Sequence, residues 1–309
     1  MIKIAIVQHQ PEFYDLQGSI RKAENIVNEA AKHGIQLIVF GESWFSGYPA
    51  WLDYFPGTAL WDHEPTKAMY SKMYRSSLTV ESEEFNHLRE LARKNRIYMV
   101  FGFNEKIESG RGNGSIYNAM AMVSPEGEIL NHHRKLMPTF SEKLVYALGD
   151  GFGLQTVRIP EGRMGGLICW EHWMPHARQA LHDSGEILHI ALWPSVHDIH
   201  QIASRHYAFE GRCFVVAVGQ ILELQAIPDD LLKEKQSTGP ADTLLLNGGS
   251  CVISPRGSFV LEPCFNKSSI IYVNLDLEEA VREKMTLDTS GHYARPDIFT
   301  FQVNKKRST

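Results

Sequence analysis

Short apolar runs alternate along this chain with stretches whose apolar residues recur every three or four positions. Ile4 to Val7 reads as a buried strand, Ile20, Ala23, Ile26, Val27 and Ala30 fall on one helical face, and Gln36-Leu37-Ile38-Val39-Phe40 is strand again. Phe85, Leu88, Leu91 and Ala92 repeat the helical spacing ahead of a second strand, Ile97 to Phe103. Short runs that are apolar throughout belong to strands covered on both faces. The pattern therefore predicts an α/β fold in which helices cover buried sheet.

A different device follows. Tyr117 to Val123 runs into Ser124-Pro125-Glu126-Gly127 and out through Ile129-Leu130, which predicts a hairpin. The same turn text returns as Ser254-Pro255-Arg256-Gly257, between Cys251-Val252 and Phe259-Val260-Leu261. Either a sheet-forming half is used twice or a common turn occurs twice; the text alone leaves both open. Between the hairpins lie a strand from Met164 to Cys169, a helix from about Met174 to His182, and a strand from Ile187 to Trp193. Residues 225–248 are mostly polar and carry Pro and Gly, so a loop is expected there. A short tail is expected from about 286 to 309, and one domain over 1–309.

Composition removes several classes of function. With 309 residues and 43% hydrophobic content the chain can bury a large core. The formal net charge is -5 and no basic run occurs, which argues against a nucleic-acid partner. The apolar run at the N-terminus is too short for a signal peptide, and no stretch approaches the roughly 20 apolar residues of a membrane helix, so a soluble cytoplasmic protein with no membrane partner is expected. Cys169, Cys213, Cys251 and Cys264 form no CxxC pair, which suggests neither a disulfide framework nor a zinc knuckle. The last three sit in apolar text and read as small core residues.

Cys169 has chemically interesting company. Glu42, Lys135 and Cys169 each follow a strand, and the carboxyl ends of strands in layered α/β sheets line a common crevice. An acid, an amine and a thiol suit acyl transfer: the carboxylate takes the thiol proton, and the ammonium, with a backbone N–H near Trp170, holds charge developing on the substrate. Singly, each has a plainer reading, as a helix cap, a solvated cation in His132-His133-Arg134-Lys135, and a core thiol. The histidines offer a competing reading as a metal site, through His197, His200 and His206 or through His172 and His176. No third ligand has motif spacing, so no metal and no cofactor are expected. Gly110-Arg111-Gly112-Asn113-Gly114 follows polar text and opens no helix, which makes it a surface turn and not a phosphate loop.

Three stretches together, Gly41-Glu42-Ser43-Trp44-Phe45-Ser46-Gly47-Tyr48-Pro49, His133-Arg134-Lys135-Leu136-Met137-Pro138-Thr139 and Gly165-Gly166-Leu167-Ile168-Cys169-Trp170-Glu171-His172-Trp173-Met174-Pro175, resemble the nitrilase family of carbon-nitrogen hydrolases in text and order. The resemblance runs from about Lys3 to Asp276, with Ser46 standing where many relatives have proline. It implies a four-layer αββα sandwich, catalytic roles for Glu42, Lys135 and Cys169, and a second glutamate, Glu142, orienting the lysine side. Tyr48, Tyr146, Trp170 and Pro194 would lie near the substrate. Cys169-Trp170-Glu171 looks like the nitrile-cleaving branch, which implies hydrolysis of an organic nitrile to an acid and ammonia through a thioimidate and a thioester, in a homodimer or higher homo-oligomer. An amidase or a cyanide hydratase or dihydratase of the same superfamily would share these parts, and a non-catalytic binding module would share the fold.

Overall fold

The computed structural model describes residues 1–55, 57–228 and 243–307. Its first sheet contains β1 (Ile2–Val7), β2 (Leu37–Phe40), β3 (Tyr98–Lys106), β4 (Ile116–Val123) and β5 (Ile129–Arg134), extended beside β1 by β13 (Ile270–Leu275) in the order β13-β1-β2-β3-β4-β5. The second contains β6 (Val157–Ile159), β7 (Gly162–Ile168), β8 (Leu188–Leu192), β9 (Phe214–Val218), β10 (Ile221–Glu223), β11 (Leu244–Ile253) and β12 (Phe259–Phe265). Here β7, β8 and β9 run parallel, flanked by antiparallel β6 on one side and β11 on the other.

Period-two alternation sorts the first sheet between two cores. Ile4, Ile6, Leu37, Val39, Met120 and Met122 face Ile168, Ile190 and Val216 of the second sheet, while Ala5, Val7, Ile38, Phe40, Ala119 and Ala121 turn the other way. On that outer face lie α1 (Leu16–Lys32) and α4 (Glu83–Asn95), through Ile20, Ala23, Val27, Phe85 and Leu88. Side-chain caps start both helices: Asp15 accepts from the Gly18 N–H and Ser82 from the Phe85 N–H. The second sheet is covered by α5 (Pro175–Asp183) and α6 (Asp198–Gly211), through Ala180, Leu181, Ala203 and Tyr207. The layers are thus helix, sheet, sheet, helix, as the resemblance implies.

The repeated turn text marks a repeated half. β1, β2 and β3 are parallel and continue into the antiparallel β4-β5 hairpin; β7, β8 and β9 do the same into β11-β12. In both turns the glycine N–H bonds the serine carbonyl, at 2.9 Å for Gly127 to Ser124 and 2.8 Å for Gly257 to Ser254. In both, an arginine from the preceding helix donates to the glycine carbonyl: Arg89 Nε to Gly127 and Arg205 Nε to Gly257, each at 2.7 Å.

Two sequence expectations change, the end of the polar loop and the burial of Cys264. The loop expected over 225–248 is shorter at its end, because Leu244-Leu245-Leu246 pairs as the start of β11; residues 229–242 of it lie outside the described residues. α6 begins at Asp198, inside the stretch considered for metal binding, and α3 (Glu64–Ser76) buries only Met69, Met73 and Ser76, too narrow an apolar stripe to stand out in the text. Trp44 and Trp51 are fully buried in packing, with their indole N–H groups on His9 O and Tyr14 Oη. Cys213 and Cys251 are core residues; Cys264 is partly exposed. Among the described residues no helix is long and apolar enough to cross a membrane.

Candidate active site

Glu42, Lys135 and Cys169 meet at the carboxyl ends of β2, β5 and β7, each at most 3% exposed. The first two come from one sheet and the thiol from the other. Close backbone packing holds the acid and the amine. A Cβ on Gly102 of β3 would stand 2.5 Å from Gly41 O and 2.8 Å from Glu42 Cα, and one on Gly149 would stand 2.4 Å from Lys135 O. Only glycine permits those approaches.

The Lys135 ammonium donates to Glu42 Oε1 at 3.1 Å and to both oxygens of Glu142, at 2.9 and 2.7 Å. Glu142 also accepts from Tyr48 Oη and from the Thr139 N–H, both at 2.8 Å. Glu42 Oε1 takes a further bond from Asn118 Nδ2 at 2.7 Å, and the Glu42 carbonyl accepts from Gln220 Nε2 at 2.6 Å. Glu42 Oε2 is buried with no partner. One donor atom each of Glu42, Glu142 and Cys169 lie within 4.8 Å of one another, so the vacant lone pairs of a carboxylate share this small space with the thiol.

Burial pushes the Glu42 carboxyl up to about 7, against the pull of Lys135. Burial would lower the Lys135 ammonium, but the negative charges of Cys169, Glu142 and Glu42 around it hold it well above its ordinary range. For Cys169 burial comes first and the Glu42 charge second, and together they outweigh Lys135 and the Trp170 N–H, raising the thiol well above normal. The raised thiol thus shares its space with Glu42, a carboxylate placed to take its proton. Cys169 has φ 54°, the left-handed region a non-glycine residue adopts only when its surroundings fix it. Its carbonyl accepts from His172 Nδ1 at 2.6 Å.

The expected neighbours divide. Tyr48 reaches the centre through Glu142. Tyr146 donates its hydroxyl proton to Asn104 Oδ1 at 2.6 Å and is bonded to Ser43 Oγ at 3.1 Å, so both tyrosines spend their hydroxyl protons within the protein. The Pro194 carbonyl accepts from the Gln220 N–H, which sets the side chain that holds Glu42. Trp170, 49% exposed, lines an apolar cavity of about 700 Å³ with Met137, Pro138, Trp173 and Met174. Among the described residues the histidines join no group of three donors close enough to share a metal: His172 is buried against His189, His176 stacks on Phe301, and His197 bonds Asn247. Among the described residues the donor set close enough to share a metal is Glu42, Glu142 and Cys169, and the Lys135 ammonium already bonds both of those carboxylates.

Asn118 and Gln220 escaped sequence reasoning, although Asn118 is a polar residue inside a strand buried at every position, a signal that could have flagged it. Asn118→Ala removes a bond to a charged group, so a loss of kcat of roughly 10- to 100-fold is expected, following about 1.5–3 kcal/mol for such bonds. Steady-state kinetics with an unchanged circular dichroism spectrum would check it.

Comparison with known proteins adds the following. A family model described as carbon-nitrogen hydrolase matches residues 3–283. Nitrilase 1 of Arabidopsis thaliana is 33% identical over 98% of this chain and 87% of its own length. An aliphatic nitrilase of Sinorhizobium fredii (strain HH103) is 32% identical over 98% of this chain and 96% of its own. The crystal structure of Saccharomyces cerevisiae Nit3, 20% identical, superposes with a TM-score of 0.71 over 94% of this chain and 96% of that one, which concerns the fold alone.

Proposed function

Because this chain belongs to the carbon-nitrogen hydrolase family, we propose that it is a nitrilase, an enzyme converting an organic nitrile and two waters into a carboxylic acid and ammonia. The observation that carries the reading is a buried carboxylate with an unpartnered oxygen in the same small space as a thiol, beside an ammonium held by two acids.

Cys169 is the nucleophile and Glu42 the general base. As Sγ bonds to the nitrile carbon, its proton passes to Glu42 and one C–N electron pair moves to nitrogen, which takes the proton back to give a thioimidate. Lys135, oriented by Glu142, stabilises that nitrogen as charge develops. Glu42 then draws a proton from water and hands it to the nitrogen; the tetrahedral carbon expels ammonia as its hydroxyl proton passes through Glu42 to the departing nitrogen, leaving a thioester and a carboxylate base again. A second water, activated the same way, releases the acid and restores the thiol. Should the tetrahedral carbon expel sulfur first, the product is the amide. Tyr48 supports Glu142, and Trp170 forms a wall of the apolar cavity that receives the nitrile's organic part. The side chains present supply every proton transfer, so the scheme uses no cofactor.

We read residues 1–309 as one domain, acting on a small molecule in the cytoplasm as a homodimer or higher homo-oligomer. Four free cysteines fit a reducing compartment, and exposed Ile199, Ile202 and Phe209 on α6 fit a self-association face.

Ammonia release from butyronitrile, benzonitrile and phenylacetonitrile, from the matching amides, and from cyanide tests the activity. Release from a nitrile with the acid as main product is expected, falling on the acid side of about pH 7, where Glu42 takes up the proton it must accept. Release from amides or cyanide alone would overturn the reading.

A further inference from the structure

Glu171 lies two residues beyond the nucleophile and is 1% exposed. Its Oε2 accepts from the Ile168 N–H at 2.7 Å and its Oε1 from the Leu136 N–H at 2.8 Å, while His133 Nε2 donates to both oxygens at 2.9 Å. Burial would raise this carboxyl, but His133 and the two backbone donors keep it below its usual range. Ile168 immediately precedes Cys169, and Leu136 immediately follows Lys135.

Those neighbours belong to different layers, since β7 lies in the second sheet and β5 in the first, and among the described residues no strand pairing links the two sheets. Non-directional apolar packing joins most of their area, with hydrogen bonds across it from Gln220 to the Glu42 carbonyl and from Gln8 to the second hairpin. A carboxylate receiving a backbone N–H from each layer is directional and charge-assisted. The bond to Ile168, three residues back, would by itself only cap the short turn at Cys169; the bond to Leu136 spans the two layers.

We propose that Glu171 is a positioning residue, setting the distance between the Cys169 thiol and the Lys135 ammonium for the reaction proposed above, on which the role rests. It does not carry a proton to the substrate, because both its oxygens are occupied away from the space shared by Glu42, Glu142 and Cys169. Reacting groups must stand within a few tenths of an ångström of their working distance, and a shift of about 1 Å costs on the order of 100-fold in rate.

The test uses the full chain with Glu171→Gln and His133→Asn, assayed on whichever panel nitrile the wild type turns over and by alkylation of Cys169 with iodoacetamide, which requires no nitrile. The glutamine amide cannot accept at both ends, so one backbone bond breaks. Glu171→Gln is expected to lower kcat roughly 100-fold with KM little changed, and to displace the pH profile of alkylation, at an almost unchanged thermal midpoint. His133→Asn keeps both backbone bonds and is expected to lose less than a tenth as much. Wild-type kcat and alkylation in Glu171→Gln, or losses in both variants that track their thermal midpoints, would overturn the proposal. Where Glu171→Gln does not fold, hydrogen exchange on the wild type decides. The Leu136 and Ile168 amides are expected to exchange as slowly as those of β8, and exchange of either at the rate of an exposed loop overturns the clamp. Alkylation and exchange report on the clamp even if no nitrile is turned over, so failure of the proposed activity stays distinct from failure of this role.

Discussion

Cys169→Ala is expected to abolish nitrile turnover, by at least four orders of magnitude, and with it any covalent adduct on the intact protein in mass spectrometry. No other described side chain can take over. Cys213 and Cys251 lie in the core and Cys264 is partly exposed on β12. Glu42 could at best activate water directly, and loss of a nucleophile that acts as a unit with its base leaves little of the acceleration. The fold should tolerate the change, because the alanine removes one sulfur at a turn whose carbonyl stays bonded to His172. Measurable ammonia release, or an adduct of the same mass from the variant, would refute the nucleophile's assignment.

Lys135→Met is expected to remove activity by a similar margin and also to destabilise the fold. The ammonium is the shared partner of Glu42 and Glu142, and all three are buried. Removing one member of a buried ion pair typically costs about 3–5 kcal/mol. In the variant the Glu42 carboxyl, raised by burial and no longer pulled down by Lys135, would hold its proton more tightly still than in the unfolded chain. A group raised in this way stabilises below its unfolded value and loses that contribution as pH rises through the folded value. The stability deficit should therefore grow between pH 5.5 and pH 8. Urea midpoints for variant and wild type at those two values measure it, and a deficit that shrinks with pH would contradict the assignment of Lys135 as the common counter-ion.

Much of this centre was legible in the sequence because the elements holding it are written in apolar text. β2, β8 and β9 are buried at every position, and such runs stand out. Glu42 and Cys169 declare themselves by interrupting that text at strand ends, and the two hairpins by a turn whose serine and glycine both bond. Gln220 and Glu171 were not legible as helpers, for a physical reason: they act through partners in the other layer, and sequence spacing carries no trace of distance across a layer. α6 was hidden differently. Its histidines drew attention as ligands, whereas its buried face is mostly small, with Ala203, Ser204 and Ala208 beside Tyr207.

The repeated half also shows how selectively chemistry is distributed over this architecture. By strand order, Gln8 after β1 is the counterpart of Cys169 after β7, Pro194 after β8 that of Glu42 after β2, and Asn266 after β12 that of Lys135 after β5. The counterparts are two amides and an imino acid. Gln8 spends its amide on Cys264 O, Lys267 O and the Ser250 N–H, stitching the second hairpin to the first strand. A doubled chassis thus carries a single cluster of reactive side chains: three of the six matched strand tips hold it, and their inert twins serve as joinery.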